Sequence, residues 1–203
     1  MAKGDVMPYR GLSSNGTNPV LDTLSIPVLA ASSFVQGEPV FINLAGTLQE
    51  CGNEPVASDF AGIAAQSGDT VGATDPNGNF RTPLGLFTPG AAPNLPVALD
   101  MTMMWMAIAG QKLITRRFST DGTGATIIAP ATANIGDTVG LELNAGNWGF
   151  DGEAATPKIL VITDVLDANG ESVVRSGLTG VFTVAAVIAS RWTGNALGLV
   201  PTA

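Results

Sequence analysis

The chain has 203 residues, enough for one substantial domain or two small ones. Charged residues make up 13%, about half the usual share of roughly 25%, and the net charge is −8. An acidic chain has no positive footprint for nucleic-acid phosphates. The absence of histidine removes the commonest general base, proton shuttle and metal ligand at once.

The N-terminal stretch, residues 1–24, contains Gly4, Pro8, Gly11, Ser13, Ser14, Asn15, Gly16, Asn18 and Pro19. It shows no hydrophobic period and reads as an extended arm. A charge with no apolar run behind it is not a signal-peptide pattern, so synthesis in the cytoplasm is expected. Met7, Pro8, Tyr9 and Arg10 are the arm's only cluster of large side chains, with the sole tyrosine among them. They are the candidate anchor into a neighbouring subunit.

From residue 25 the chain becomes a series of short apolar runs broken by Gly, Pro, Asn and Asp. Ser25–Ala31, Val40–Leu44, Thr47–Cys51 and Phe60–Ala65 read as strands. Residues 75–94 hold four prolines and three glycines and read as loop or paired turns. Pro96–Leu113 is long and apolar enough for a helix. Its odd positions from Val97 to Ala107 also alternate with the even ones, which favours a long strand. That run contains Asp100 and is too short to cross a bilayer.

Thr126–Ala129, Thr138–Asn144, Lys158–Leu166, Ser172–Arg175 and Val181–Trp192 are strand-like, with dense Val, Ile and Thr. Asp167–Glu171 reads as the connection of a hairpin. The expected fold is all-β, a small barrel or sandwich with an extended N-terminal arm and little helix. Its parts are the arm at 1–24, a main β domain at 25–146, and further strands at 147–203 in the same domain or a small second module.

Three stretches read Gly, acid, any residue, Val: Gly37-Glu38-Pro39-Val40, Gly68-Asp69-Thr70-Val71 and Gly136-Asp137-Thr138-Val139. The first and third lead into an apolar run and a further glycine, Gly46 or Gly146. Mechanically this is a turn feeding a strand: glycine permits positive φ, and the acid can bond nearby backbone amides. With Phe60-Ala61-Gly62-Ile63-Ala64 between them, these stretches resemble the tailed-phage capsid decoration proteins over residues 26–145. The resemblance implies a small, mostly β protein on the outside of an icosahedral head. It further implies trimers that bind the major capsid protein and clamp capsomers against internal pressure. The chain is longer than the smallest members of that group, so residues 147–203 stand outside the likeness, and it supplies no catalytic, cofactor or metal residues to carry over.

The residues themselves select no chemical site. Cys51 is single and reads as a small buried hydrophobe. Asp75-Pro76-Asn77-Gly78-Asn79 starts like a calcium loop but has Phe80 where the turn glycine belongs and Leu86 at position twelve. Asp121-Gly122-Thr123-Gly124 and Asp151-Gly152-Glu153 read as turns. No Gly-x-Ser-x-Gly elbow or phosphate-cradling Gly-x-x-x-x-Gly-Lys occurs. Trp105, Trp148 and Trp192 read as core or interface anchors rather than a sugar platform. Lys112, Arg116 and Arg117 form the one basic cluster and read as a solvated or partner-facing edge.

A surface short of charge must be covered in an assembly. Together with the resemblance, this makes the expectation a non-enzymatic virion structural protein that self-associates and needs no cofactor, nucleic acid or membrane. Another virion subunit (tail-tube, neck or minor capsid) fits the same composition. A secreted carbohydrate-binding or adhesin module fits less well, and a hydrolase built on paired carboxylates least.

Overall fold

A computed structural model describes residues 6–9, 23–27, 34–43, 46–65, 101–107, 110–153 and 155–188. The chain is mostly β and forms two sheets. Its strands are β1 (Val6–Pro8), β2 (Thr23–Pro27), β3 (Pro39–Ile42), β4 (Leu48–Glu50), β5 (Gly62–Ala64) and β6 (Met101–Met106). They continue with β7 (Lys112–Thr115), β8 (Phe118–Ser119), β9 (Thr138–Asn144), β10 (Asn147–Asp151), β11 (Leu160–Leu166) and β12 (Phe182–Val187). One helical turn, α1 (Val173–Ser176), ends on Gly177 at φ 64°, the left-handed cap that glycine takes without steric cost.

One sheet has the order β2-β6-β5-β3-β4 and the other β1-β7-β12-β11-β9-β10-β8. With β1 and β8 set aside, the second sheet runs β7-β12-β11-β9-β10. The two orders then match position by position, and every pair within them is antiparallel.

The likeness extends to individual hydrogen bonds. Gly37 N–H donates to Ala64 O and Ala64 N–H donates to Glu38 O, both at 2.8 Å. Gly136 N–H donates to Ile162 O and Ile162 N–H to Asp137 O, both at 2.9 Å. Ala107 N–H donates to Ala61 O just as Ile188 N–H donates to Ile159 O. Gly37 and Gly136 have φ of 93° and 98°, so both entry turns use a conformation that side chains disfavour. The first and third Gly-acid-x-Val stretches are thus equivalent turns opening β3 and β9. The stretch at 68–71 lies outside the described residues.

A shared core holds the sheets together. Phe60, Ile63 and Ala107 from the five-stranded half pack with Leu113, Leu141, Phe150, Ile162 and Ala185 from the seven-stranded half. Burial of this apolar surface is the main driving force for the sandwich-like arrangement. Val40, Ile42, Ala64 and Met104 point away from it and form a second cluster with Ile26, Phe34 and Leu48. The five-stranded sheet is therefore apolar on both faces. Close approach adds a demand: a Cβ on Gly62 would lie 2.1 Å from the Trp105 carbonyl oxygen.

The structure corrects several sequence expectations. Thr126–Ala129 is irregular rather than a strand, and Ser172–Arg175 contributes one bridge and the helical turn α1. The single long strand expected over Pro96–Leu113 is instead β6 and, after a turn at Gly110, the start of β7. β10, which follows residue 146, pairs with β9 in one hairpin, and β11 and β12 lie in the same sheet. The Asp167–Glu171 connection forms as expected, with Asp167 N–H donating to Glu171 O at 2.8 Å. The turn-rich stretch at 75–94 lies outside the described residues.

Candidate functional site

The anchor residues come first. Val6 is fully buried in the shared core, and β1 pairs with β7 in the register Val6↔Thr115, Met7↔Ile114, Pro8↔Leu113. Tyr9 N–H extends the ladder to Lys112 O at 2.9 Å. Part of the arm thus adds as a strand to its own chain's sheet. Met7 faces outward, while Pro8 and Tyr9 are half-buried and Arg10 lies outside the described residues.

Exposed apolar side chains mark a second region. Val174 on α1 is 66% exposed and Leu178 just beyond it 57%. Ile127 and Ile128 are also exposed, in the strand-free stretch after β8. That stretch meets the segment that carries Leu178: a Cβ on Gly180 would lie 2.1 Å from Pro130 O. These side chains stand on irregular or single-turn segments, where no strand alternation turns them inward.

The third region is a polar seam where β8, β9 and β10 meet the loop at 120–126 and the loop after β4. Asp151 at the end of β10 is fully buried. Its Oδ2 accepts from Ser119 Oγ at 2.5 Å and Gly122 N–H at 3.1 Å, and its Oδ1 accepts from Glu153 N–H at 2.6 Å. Lys158 donates to the backbone oxygens of Asp151 and Glu153. Burial pushes the Lys158 ammonium down, and the two neighbouring carboxylates partly offset it.

Asp121 organises the adjoining loop. Its carboxylate accepts from Thr123 N–H at 3.0 Å and Thr126 N–H at 2.7 Å, and these donors hold it well below the usual carboxylate range. The stretches at Asp121 and Asp151 therefore act as turn-formers, as their sequences suggest.

Glu142 on β9 is only 4% exposed. Asn53 Nδ2 donates to its Oε1 at 3.0 Å, while Oε2 has no hydrogen-bond partner. Burial pushes this carboxyl up, opposed by the Asn53 bond and reinforced by the nearby Glu54 and Asp151 carboxylates. Glu142 borders a shallow hollow with Arg117, Ser119, Gly124, Asn144 and Asn147. Alternation along Thr138–Asn144 puts Glu142 on the side opposite Val139 and Leu141, which reads as solvent. The loops that cover it are separated from it in sequence, so only the fold reveals the burial.

Among the described residues no three His, Cys, Asp or Glu side chains are grouped to hold a metal ion. Cys51 is buried, with its thiol donating to Asp59 O. Trp148 is buried in the core and Trp105 packs against it, so neither offers a stacking platform; Trp192 and the Asp75–Asn79 turn lie outside the described residues. Of the basic cluster, Arg116 stacks over the Phe182 ring at 4.7 Å, Lys112 is exposed on β7, and Arg117 borders the hollow. No described helix is long and apolar enough to cross a membrane. Comparison with family models, curated proteins and solved structures finds no match.

Proposed function

We propose that the protein is a structural subunit of a virion, a capsid decoration protein that binds the outer surface of a phage head and stabilises contacts between capsomers. The observation that carries this reading is the pair Val174 and Leu178, large apolar side chains left in solvent on a chain short of charge. Covering such side chains in a lattice removes apolar area from water at roughly 25 cal/mol per Å². The β-pairing of Val6–Pro8 lends support, because it shows the arm's backbone competent as an edge strand.

A protein that binds only the assembled lattice stabilises it by mass action, and repetition over many copies multiplies a modest contact. The proposed partners are the major capsid protein and further copies of this chain, as trimers. The test adds purified protein to expanded phage heads that lack it and measures occupancy by cryo-electron microscopy. Saturable binding at one class of symmetry position is expected, with Val174→Asp and Leu178→Asp lowering occupancy at least tenfold while the melting temperature holds. Failure of the unmodified protein to bind heads overturns the reading.

A further inference from the structure

On a chain of net charge −8, one edge of the seven-stranded sheet is positive. β1, β7 and β12 turn Val6, Leu113, Ala185 and Val187 into the shared core. Alternation therefore puts Met7, Lys112, Ile114, Phe182 and Val184 on the opposite face. The pairing sets Met7, Ile114 and Val184 side by side in one row. Arg116, just past β7, continues the Lys112–Ile114 alternation and stacks over the Phe182 ring at 4.7 Å. Met7 is 39% exposed, Lys112 and Arg116 are exposed, and Ile114 and Phe182 are half-buried. The three strands contain no Asp or Glu. The row ends on β11 at Asp164, whose Oδ1 is taken up by Ser172 Oγ at 2.7 Å and Val165 N–H at 2.9 Å. The result is an apolar face with cations at its rim.

The opposite pattern stands in the other half. Residues 34–65 hold Glu38, Glu50, Glu54 and Asp59 and no Lys or Arg. Glu38 is used internally, since its Oε2 accepts from Val35 N–H at 2.9 Å. The loop after β4 carries the other three around an apolar side chain. Val56 is 44% exposed, and Asp59 closes the turn over it by donating its N–H to Val56 O at 2.9 Å. Glu50 and Asp59 are exposed and Glu54 is half-buried. This is an apolar knob with carboxylates at its rim.

We propose that the face built from β1, β7 and β12 docks on the loop after β4 of a second molecule of this chain. Met7 and Ile114 pack on Val56, while Lys112 and Arg116 pair with Glu50, Glu54 and Asp59. The covered apolar side chains supply affinity, and the charged rims select the partner and speed encounter. The two surfaces are unlike, so the contact is head-to-tail, and it closes into a ring where the rotation between molecules permits. The contact rests on the self-association part of the proposed function and gives it a surface. It leaves Val174 and Leu178, on other segments, for the head.

The test is sedimentation velocity of the full chain over a range of concentration and salt. Reversible association is expected. It should weaken as salt rises from about 0.1 M to about 1 M, which shortens the screening length from about 10 Å to about 3 Å. Lys112→Glu with Arg116→Glu, and separately Glu50→Lys with Asp59→Lys, should each weaken association about tenfold or more, because each sets like charges face to face. Mixing the two variants one to one should restore association, since the reversed face of one then meets the reversed loop of the other. A wild type that stays monomeric overturns the proposal, as does association that neither reversal weakens, or a mixture no tighter than the variants alone. Melting temperatures check folding, and if the loop variant fails to fold, Lys112→Glu alone must still weaken association. Occupancy on phage heads is a separate measurement: a monomer that binds heads removes this contact and leaves the head reading standing.

Discussion

Two carboxyls in one seam answer to pH in opposite senses, because one is ringed by amide donors and the other by cover and like charge. Asp121 has its folded value depressed by the Thr123 and Thr126 amides. The stability it contributes is therefore present above the unfolded value and lost as pH falls through the folded one. Asp121→Ala is expected to speed Thr126 amide exchange at neutral pH and to remove its acid dependence, and exchange that matches the wild type would refute this. Glu142 has a raised folded value, so its favourable contribution is present below the unfolded value and lost as pH rises through the folded one. Asp151 presents a different vulnerability, since its three donors come from three separate positions in the chain. Ser119→Ala removes the 2.5 Å bond and leaves a fully buried oxygen short of a donor. A loss of about 1–3 kcal/mol in urea unfolding is expected. A change within error would show that water or Gly122 takes over.

The elements legible in sequence are those where apolar residues and turn chemistry agree. β4, β5, β9, β11 and β12 fall within predicted strands, β3 starts one residue before its own, and the Gly37 and Gly136 turns were visible from their residue types. The missed elements have physical causes. β10 carries Trp148, Gly149 and Phe150, whose glycine breaks the alternation. That glycine is there because a Cβ on it would lie 2.8 Å from the Arg117 carbonyl oxygen. Ser172–Arg175 looked like a strand from its two valines, but Gly177 supplies a left-handed cap and the turn closes as a helix. β6 was ambiguous because both its faces are covered, so its sequence cannot alternate cleanly. The seam residue Asn53 gave no signal, since its partners lie on β9, some ninety residues away in sequence. Gly62 offers the sharpest test at this scale. Gly62→Ala must push β5 off β6 against the Trp105 carbonyl, a backbone atom that cannot rotate aside. A loss of about 3 kcal/mol is expected in thermal or urea unfolding; a fully stable variant would mean that the strands sit farther apart.

At the scale of the whole molecule, one five-strand plan occurs twice and the two copies share a core. Neither copy can bury its inner face alone, so they are expected to open together. Ala64 and Ile162 occupy equivalent places and make equivalent hydrogen bonds. Their amides should therefore exchange with the same opening free energy, equal to that of global unfolding. A lower value at Ala64 alone would show that the first half opens independently. The repeat also sets an order of assembly. Both halves must bring back a returning strand, β6 beside β5 and β12 beside β11. The chain between Ala64 and Met101 is more than twice as long as that between Leu166 and Phe182. Bringing together ends that far apart in sequence costs about 0.8 kcal/mol more entropy, roughly a fourfold slower search. The C-terminal half is thus the natural nucleus, and its exposed inner face is the template on which the N-terminal half condenses.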